Sequence, residues 1–282
     1  MTTPAGAAGD PDAIWREWLG EILSAAADRF GLVITGPPAY GWRDRSIGTP
    51  ALGRAGPRWL RVVTEDARWA HGDFWTGNVD ANRIQGIAKP AVLDTAEWQE
   101  GPRRVRAEMM TVVPGHPCSS SDVLRQELDL PSGWWAELRR SLDVLAATPT
   151  RRISVDAGQM TDRLRGQLGI ELDPGAVTWG TAHGDLHWAN LFGPQLAIID
   201  WEGWGCGPVG LDAATLYYYS LPTPDTAAHV YRTFHDILST PAGTVAQLYA
   251  IARLLARAGT GDHPDLAVPL RQHAEQLTGA TR

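Results

Sequence analysis

A chain of 282 residues, 44% hydrophobic and 20% charged, can bury a sizeable core and has the composition of a folded protein rather than a disordered one. Its net charge of −7 argues against a general nucleic-acid binder, which needs a basic face, and no apolar run approaches the roughly 18 residues that cross a bilayer. Two cysteines, Cys118 and Cys206, are too few for a disulfide framework or a four-thiolate zinc site, and residues 1–12 lack the basic and apolar regions of a signal peptide. A cytoplasmic protein with reduced thiols is therefore expected.

Residues 12–30 place Ile14, Trp15, Trp18, Leu19, Ile22, Leu23 and Ala26 at spacings of three and four, the stripe of an amphipathic helix. From 32 to 64, apolar runs such as Leu32-Val33-Ile34 and Trp59-Leu60-Arg61-Val62-Val63 alternate with Gly/Pro-rich turns and predict strands and hairpins. A helix at 77–88 and strands at 91–93 and 105–113 follow, and Pro114-Gly115 breaks the chain where a hinge is expected. Beyond it the pattern is mainly helical. Ser132 is placed to cap a helix whose apolar face is Trp134, Trp135, Leu138, Leu142 and Leu145, and further helices are predicted at 211–221, 225–239 and 244–258. One short apolar strand, Leu196-Ala197-Ile198-Ile199, interrupts them. The order predicts an α+β fold of two lobes, a β-rich lobe at 1–114 and a mainly helical lobe at 115–282. Most of the 13 tryptophans are expected to pack cores.

Chemistry concentrates in His183-Gly184-Asp185-Leu186-His187-Trp188-Ala189-Asn190 and, beyond a short apolar run, Asp200-Trp201-Glu202. An aspartate followed five residues later by an asparagine, with a second aspartate past a strand, has the spacing of a kinase catalytic loop and its metal aspartate. Asp185 can accept the proton of an acceptor hydroxyl, and Asn190 and Asp200 offer the hard oxygen ligands magnesium prefers. His183 is expected to orient the loop through hydrogen bonds, and Gly184 to allow a tight backbone path.

These residues resemble the aminoglycoside phosphotransferase and choline kinase superfamily. The resemblance implies a bilobal protein-kinase-like fold, and phosphoryl transfer from ATP or GTP to a small-molecule hydroxyl with magnesium. It makes Asp185 the base, with His183 as its catalytic-loop partner, and Asn190 and Asp200 the metal ligands. Glu202 falls where a further acid often follows, and Asp212 resembles the structural aspartate opening the next helix. In the first lobe the family's phosphate-binding lysine pairs with a helix glutamate. Here Arg61 stands on the matching strand and Asp80 about where the glutamate belongs, so an Arg61–Asp80 pair is expected at the nucleotide. The loop covering the nucleotide is expected near residues 40–48, although no Gly-x-Gly-x-x-Gly occurs there. The acceptor is an antibiotic such as an aminoglycoside or, alternatively, a metabolite such as an amino alcohol or sugar. A catalytically silent kinase-like binding module is the remaining alternative, and nucleic-acid and membrane partners are not expected.

His183, Asp185 and His187 could gather as metal ligands, but no second cluster of histidines accompanies them. His187 alone reads as a structural loop residue. Gly205-Cys206-Gly207-Pro208-Val209-Gly210 has dinucleotide-fingerprint spacing, yet Pro208 removes a backbone donor and no βαβ unit follows, so a flexible loop is the expectation. Asp225, Asp236, Asp262 and Asp265 are candidates to read amino groups on a cationic substrate, or else helix caps and solvated acids. Of Tyr217, Tyr218 and Tyr219, at most one or two can face a ligand, because successive helical residues point in different directions.

Overall fold

The computed structural model describes residues 10–279. Residues 1–9, most of the stretch read for a leader, lie outside it. The described chain divides into two compact units, one of residues 10–75 and 90–112 and the other of 76–89 and 113–279. The first unit's second segment ends at residue 112, and residues 76–89 group with the second unit.

In the first unit, α1 (Pro11–Phe30) opens at Asp10, whose side chain accepts from Asp12 N, and closes at the left-handed Gly31. The strands are β1 (Val33–Ile34), β2 (Ala39–Tyr40), β3 (Ser46–Gly53), β4 (Gly56–Asp66), β5 (Val92–Glu100) and β6 (Arg103–Met110). They form one antiparallel sheet in the order β1-β3-β4-β6-β5, with β2 also paired to β3. Alternation sorts the faces. Leu60, Val62, Val105 and Ala107 point one way and pack with Leu19, Ile22, Leu23, Ala26 and Ala27 of α1. Their neighbours Arg61, Arg106 and Glu108 point the other way. The 91–93 prediction caught only the start of β5, because Asp94, Glu97, Gln99 and Glu100 give an edge strand a polar texture.

Helix α2 (Asp73–Asp80) straddles the division and continues as a 3-10 turn, Ala81–Arg83. It starts earlier than the predicted 77–88 helix and ends earlier too, with Gly86 at φ 80° in the chain beyond. The second unit then contains β7 (His116–Pro117), α3 (Ser132–Ala146), α4 (Ala157–Leu168), β8 (Trp179–Ala182), β9 (Phe192–Gly193), β10 (Gly205–Pro208), α5 (Leu211–Tyr219), α6 (Pro224–Thr233), α7 (His235–Leu238), α8 (Pro241–Gly259) and α9 (Ala267–Thr278). Ser132 is the first helical residue of α3 rather than its cap, the preceding Pro131 holding that position. The predicted 225–239 helix breaks at Phe234 (φ −118°, ψ 17°), whose side chain is fully buried. Segment 196–199 makes a single bridge, Leu191 to Ile198, instead of a ladder. Helices α4 and α9 went unpredicted because each buries only two residues, Met160 and Leu164 or Leu270 and Ala274. Trp134, Trp135 and Trp188 pack ring to ring in the core of this unit.

Candidate active site

Strands β8 and β10 pair antiparallel and frame two loops, residues 183–191 and 198–204. Asp212, in the first turn of α5, accepts from His183 N at 2.7 Å and Gly184 N at 2.9 Å, and so pins the start of the first loop. Burial pushes the Asp212 carboxyl above its ordinary pKa, against the pull of His183 and these two N–H groups. Gly184 is left-handed (φ 84°), and a Cβ there would meet Ser154 Oγ at 2.1 Å and Gly203 O at 2.8 Å, so no other residue fits. Trp188, fully buried, donates to Ser220 Oγ at 2.9 Å and fixes the 3-10 turn Trp188–Asn190.

The two loops are stitched together. His183 Nε2 lies 3.0 Å from Ile199 O, and Ile199 N donates to Asn190 O at 2.9 Å. His183, fully buried and edge-on to Trp201, thus links the two loops by holding the residue before Asp200. Asn190 Nδ2 donates to Asp185 O at 3.0 Å, which leaves the amide oxygen as the acceptor of that side chain. Asp200 adopts a left-handed backbone (φ 62°, ψ 62°), a conformation uncommon outside glycine and concentrated at functional sites.

Asp185 is recessed, with 42% of its side chain accessible. Its Oδ2 is 3.6 Å from His187 Nε2, and its Oδ1 is 3.6 Å from Arg253 Nη2. Desolvation raises the Asp185 pKa, but the facing His187 and Arg253 outweigh it, so the carboxyl lies well below the usual range. Desolvation likewise disfavours charge on His187, yet Asp185, Asp122 and Asp200 raise its pKa. Thus His187, read from sequence as a structural residue, faces Asp185 directly.

Three further residues were missed: Asp122, Arg253 and Arg257. Arg253 Nη1 donates to Gly184 O at 2.8 Å, while Arg257 pairs with Asp122 at 2.6 Å and donates to Tyr219 Oη at 2.7 Å. The signal was present in the sequence, because two arginines four apart share one face of an otherwise apolar helix. Tyr218 and Tyr219 are buried and Tyr217 is half-buried.

The expected Arg61–Asp80 pair is replaced by two others. Arg61 on β4 sits directly opposite Glu108 on β6 and pairs with it at 3.4 Å, while Asp80 pairs with Arg152 at 2.6 Å. The cross-strand register supplies Arg61 with a carboxylate, and Asp80 belongs to the other unit. Glu108, 1% exposed, also accepts from Arg106 Nε at 3.1 Å. The glycines at 205–210 are not a flexible loop. Gly205 and Gly207 lie in β10, and a Cβ at Gly205 would meet Ser154 N at 2.7 Å. Both cysteines are free thiols, and burial pushes Cys118 up to about 12.

Among the described residues no group of three or more His, Cys, Asp or Glu side chains could hold a metal. His183, Asp185 and His187 therefore do not form a closed site. The oxygen pair of Asn190 and Asp200 fits magnesium, which takes one or two protein ligands and completes its shell with phosphate oxygens and water. No helix of the described residues is long and apolar enough to cross a membrane.

A β-rich first unit followed by a mainly helical second one is an α+β fold of the protein-kinase-like kind. The profile of the phosphotransferase enzyme family matches residues 80–255, and the chain belongs to that family. Among solved structures it is similar to aminoglycoside phosphotransferase APH(4)-Ia, at 12% identity and a TM-score of 0.62 over 93% of this chain and 99% of that one. A thermostable mutant of that enzyme in a ternary complex with ADP and hygromycin B matches at 13% identity and 0.61, over 91% and 97%. Amicoumacin kinase hAmiN, in complex with AMP-PNP, Ca2+ and Ami, matches at 13% identity and 0.59, over 93% of each chain. No curated protein matches the chain in sequence.

Proposed function

We propose that this protein transfers the γ-phosphoryl group of ATP or GTP to a hydroxyl of a small molecule. The observation that carries the reading is the stitching of the Asp185–Asn190 loop to the Asp200 loop through Ile199. The link supports a reading in which Asp185 is the base and Asn190 and Asp200 are the metal ligands, all on one hydrogen-bonded frame. Structural neighbours that hold ADP with hygromycin B, or AMP-PNP, support the nucleotide donor and small acceptor.

In this mechanism Asp185 accepts a hydrogen bond from the acceptor hydroxyl and takes its proton as the new O–P bond forms and the bond to the leaving diphosphate breaks. A low pKa suits the role, since a loose transition state asks mainly for orientation of the nucleophile. His187 and Arg253 keep the carboxylate ionised and aimed. Magnesium, held by Asn190 and Asp200, would supply charge neutralisation at the phosphates. Arg61, fixed by Glu108, is assigned to the phosphates in the lysine's place, where its planar fork can bind two oxygens.

A metabolite acceptor is favoured over a polycationic antibiotic by one observation. Asp236, Asp262 and Asp265 are each tied to an arginine, Arg139, Arg257 and Arg125 respectively, and Asp122 is tied to Arg257. Only Asp225 of the four candidate acids has no arginine among its described contacts, and it is exposed. A dense array of amino groups would meet Arg253 and Arg257 rather than open carboxylates.

Thermal unfolding with ATP or GTP, with and without magnesium, tests the reading. A binding nucleotide at a hundredfold excess over its dissociation constant adds about 2.7 kcal/mol of stability. The expected result is a magnesium-dependent rise that Asp200→Ala abolishes. Absence of any rise would shift the reading to a silent binding module.

A further inference from the structure

A metal aspartate is useful only if the loop that carries it is held, and the loop at 200–204 is held by groups that take no part in the chemistry above. Arg152 is the hub. It is 5% exposed, and it donates from Nε to Trp204 O at 3.0 Å and from Nη2 to Glu202 O at 3.0 Å. Its Nη1 pairs with Asp80 Oδ2 at 2.6 Å, and Thr76 Oγ1 donates to the same carboxylate oxygen at 2.7 Å. One guanidinium therefore ties two carbonyls of the loop to α2.

The same helix grips the loop twice more. Asn78 Oδ1, in a side chain 4% exposed, accepts from Trp201 N at 2.9 Å, the amide next to Asp200. Gly77 O accepts from Trp204 Nε1 at 3.0 Å. The ring of Trp204, fully buried, has the guanidinium carbons of Arg83 and Arg152 each 4.8 Å from its centroid. Every one of these contacts ends on residues 201–204, and Asp200 itself keeps a left-handed backbone that persists only when its surroundings impose it.

We infer that Arg152, with Asn78 and Asp80, is a positioning residue for the metal aspartate. It holds the loop so that Asp200 is turned to a divalent cation shared with Asn190. Asp80, expected to steady a phosphate-binding cation, steadies this hub instead. Stability alone gives a poor account of the arrangement, because a buried arginine paired to a half-exposed aspartate is commonly no better than apolar packing of the same volume. What apolar packing cannot do is hold two specific carbonyls, and a lysine's single ammonium cannot span carbonyls and carboxylate together. The inference rests on the kinase reading of the site.

Two measurements on the full chain test it, for the parent and for Arg152→Met, Arg152→Lys and Asn78→Ala. The first is hydrogen exchange of amides 200–204 without ligand. The second is ADP affinity with and without magnesium. Arg152→Met is expected to speed exchange in that loop and to cut the magnesium-dependent gain in ADP affinity by about 10- to 100-fold. Magnesium-free affinity should stay as in the parent, and Arg152→Lys should recover part of the loss. If Arg152→Met does not fold, Asp80→Asn, whose side chain is 40% accessible, carries the same two readouts. Unchanged exchange at 200–204 overturns the hub. Faster exchange with an unchanged magnesium gain overturns its link to the metal. A parent that shows no magnesium-dependent ADP binding overturns the kinase reading and with it the metal role, while the exchange data still decide the hub.

Discussion

Gly77→Ala puts one methyl group where α2 meets the loop that follows Asp200. A Cβ there would lie 2.3 Å from Glu202 O and 2.5 Å from both Glu202 Cα and Trp201 O. A relaxed carbon contact is about 3.5–4.0 Å, so the shortfall exceeds about 1 Å. All three atoms are backbone, and no side chain can swing aside to relieve them. Overpacking of this kind costs about 1–3 kcal/mol, and the severity here points to the upper end. Alanine's helix preference returns about 1 kcal/mol, leaving a net loss of about 2 kcal/mol. For a body of this size that corresponds to about 4–8 °C in Tm. Gly20 is the control, a helical glycine in α1 with nothing within 4 Å of its added Cβ. Gly20→Ala should stabilise by about 0.5–1 kcal/mol. Scanning calorimetry on both variants reads the contrast. If Gly77→Ala melts with the parent while Gly20→Ala gains, α2 does not press on the loop, and the reasoning fails.

Buried and exposed charges should behave differently. Glu108→Ala removes the buried carboxylate that Arg61 and Arg106 share, while Arg106 keeps Glu97, and should cost about 3 kcal/mol, whereas Asp265→Ala, from an exposed pair with Arg125, should cost less than about 1 kcal/mol. Equal losses by denaturant titration would contradict the burial argument. The His187 pKa is raised, so the folded chain holds that proton more tightly than the unfolded chain. Its stabilisation is complete below the ordinary histidine value of about 6.5 and fades as pH rises through the raised value. Asp185 runs the other way, with its depressed pKa contributing above the ordinary carboxylate range and fading as pH falls through the lower value. His187→Gln should therefore flatten the decline of Tm above about pH 6.5. Parallel Tm–pH profiles for parent and variant would show that the His187–Asp185 contact is not electrostatically coupled.

Much of the fold could be read from periodicity. The stripe Leu19, Ile22, Leu23 and Ala26 and the alternation of Leu60 with Val62 describe α1 and β4 because a buried face imposes its period on the sequence. Elements with little buried surface left weaker marks, as α4, α9 and the polar edge strand β5 show. The glycines of β10 misled because close approach of a neighbouring backbone requires glycine as strictly as a mobile loop does.

The candidate site divides in the same way. Asp185, Asn190 and Asp200 are close in sequence, the chemistry proposed for them depends on spacing along one loop and one short run, and so the sequence by itself could single them out as candidates. It also offered Arg61 as the candidate for the lysine's place. Only the tertiary structure decided which charges meet. Arg61 finds Glu108 through strand register, Asp80 finds Arg152, and Arg253 and Arg257 reach Asp185 and Asp122 across most of the second unit. Charge pairing depends on distances of a few ångströms between segments far apart in the chain, and the packing of the core sets those distances.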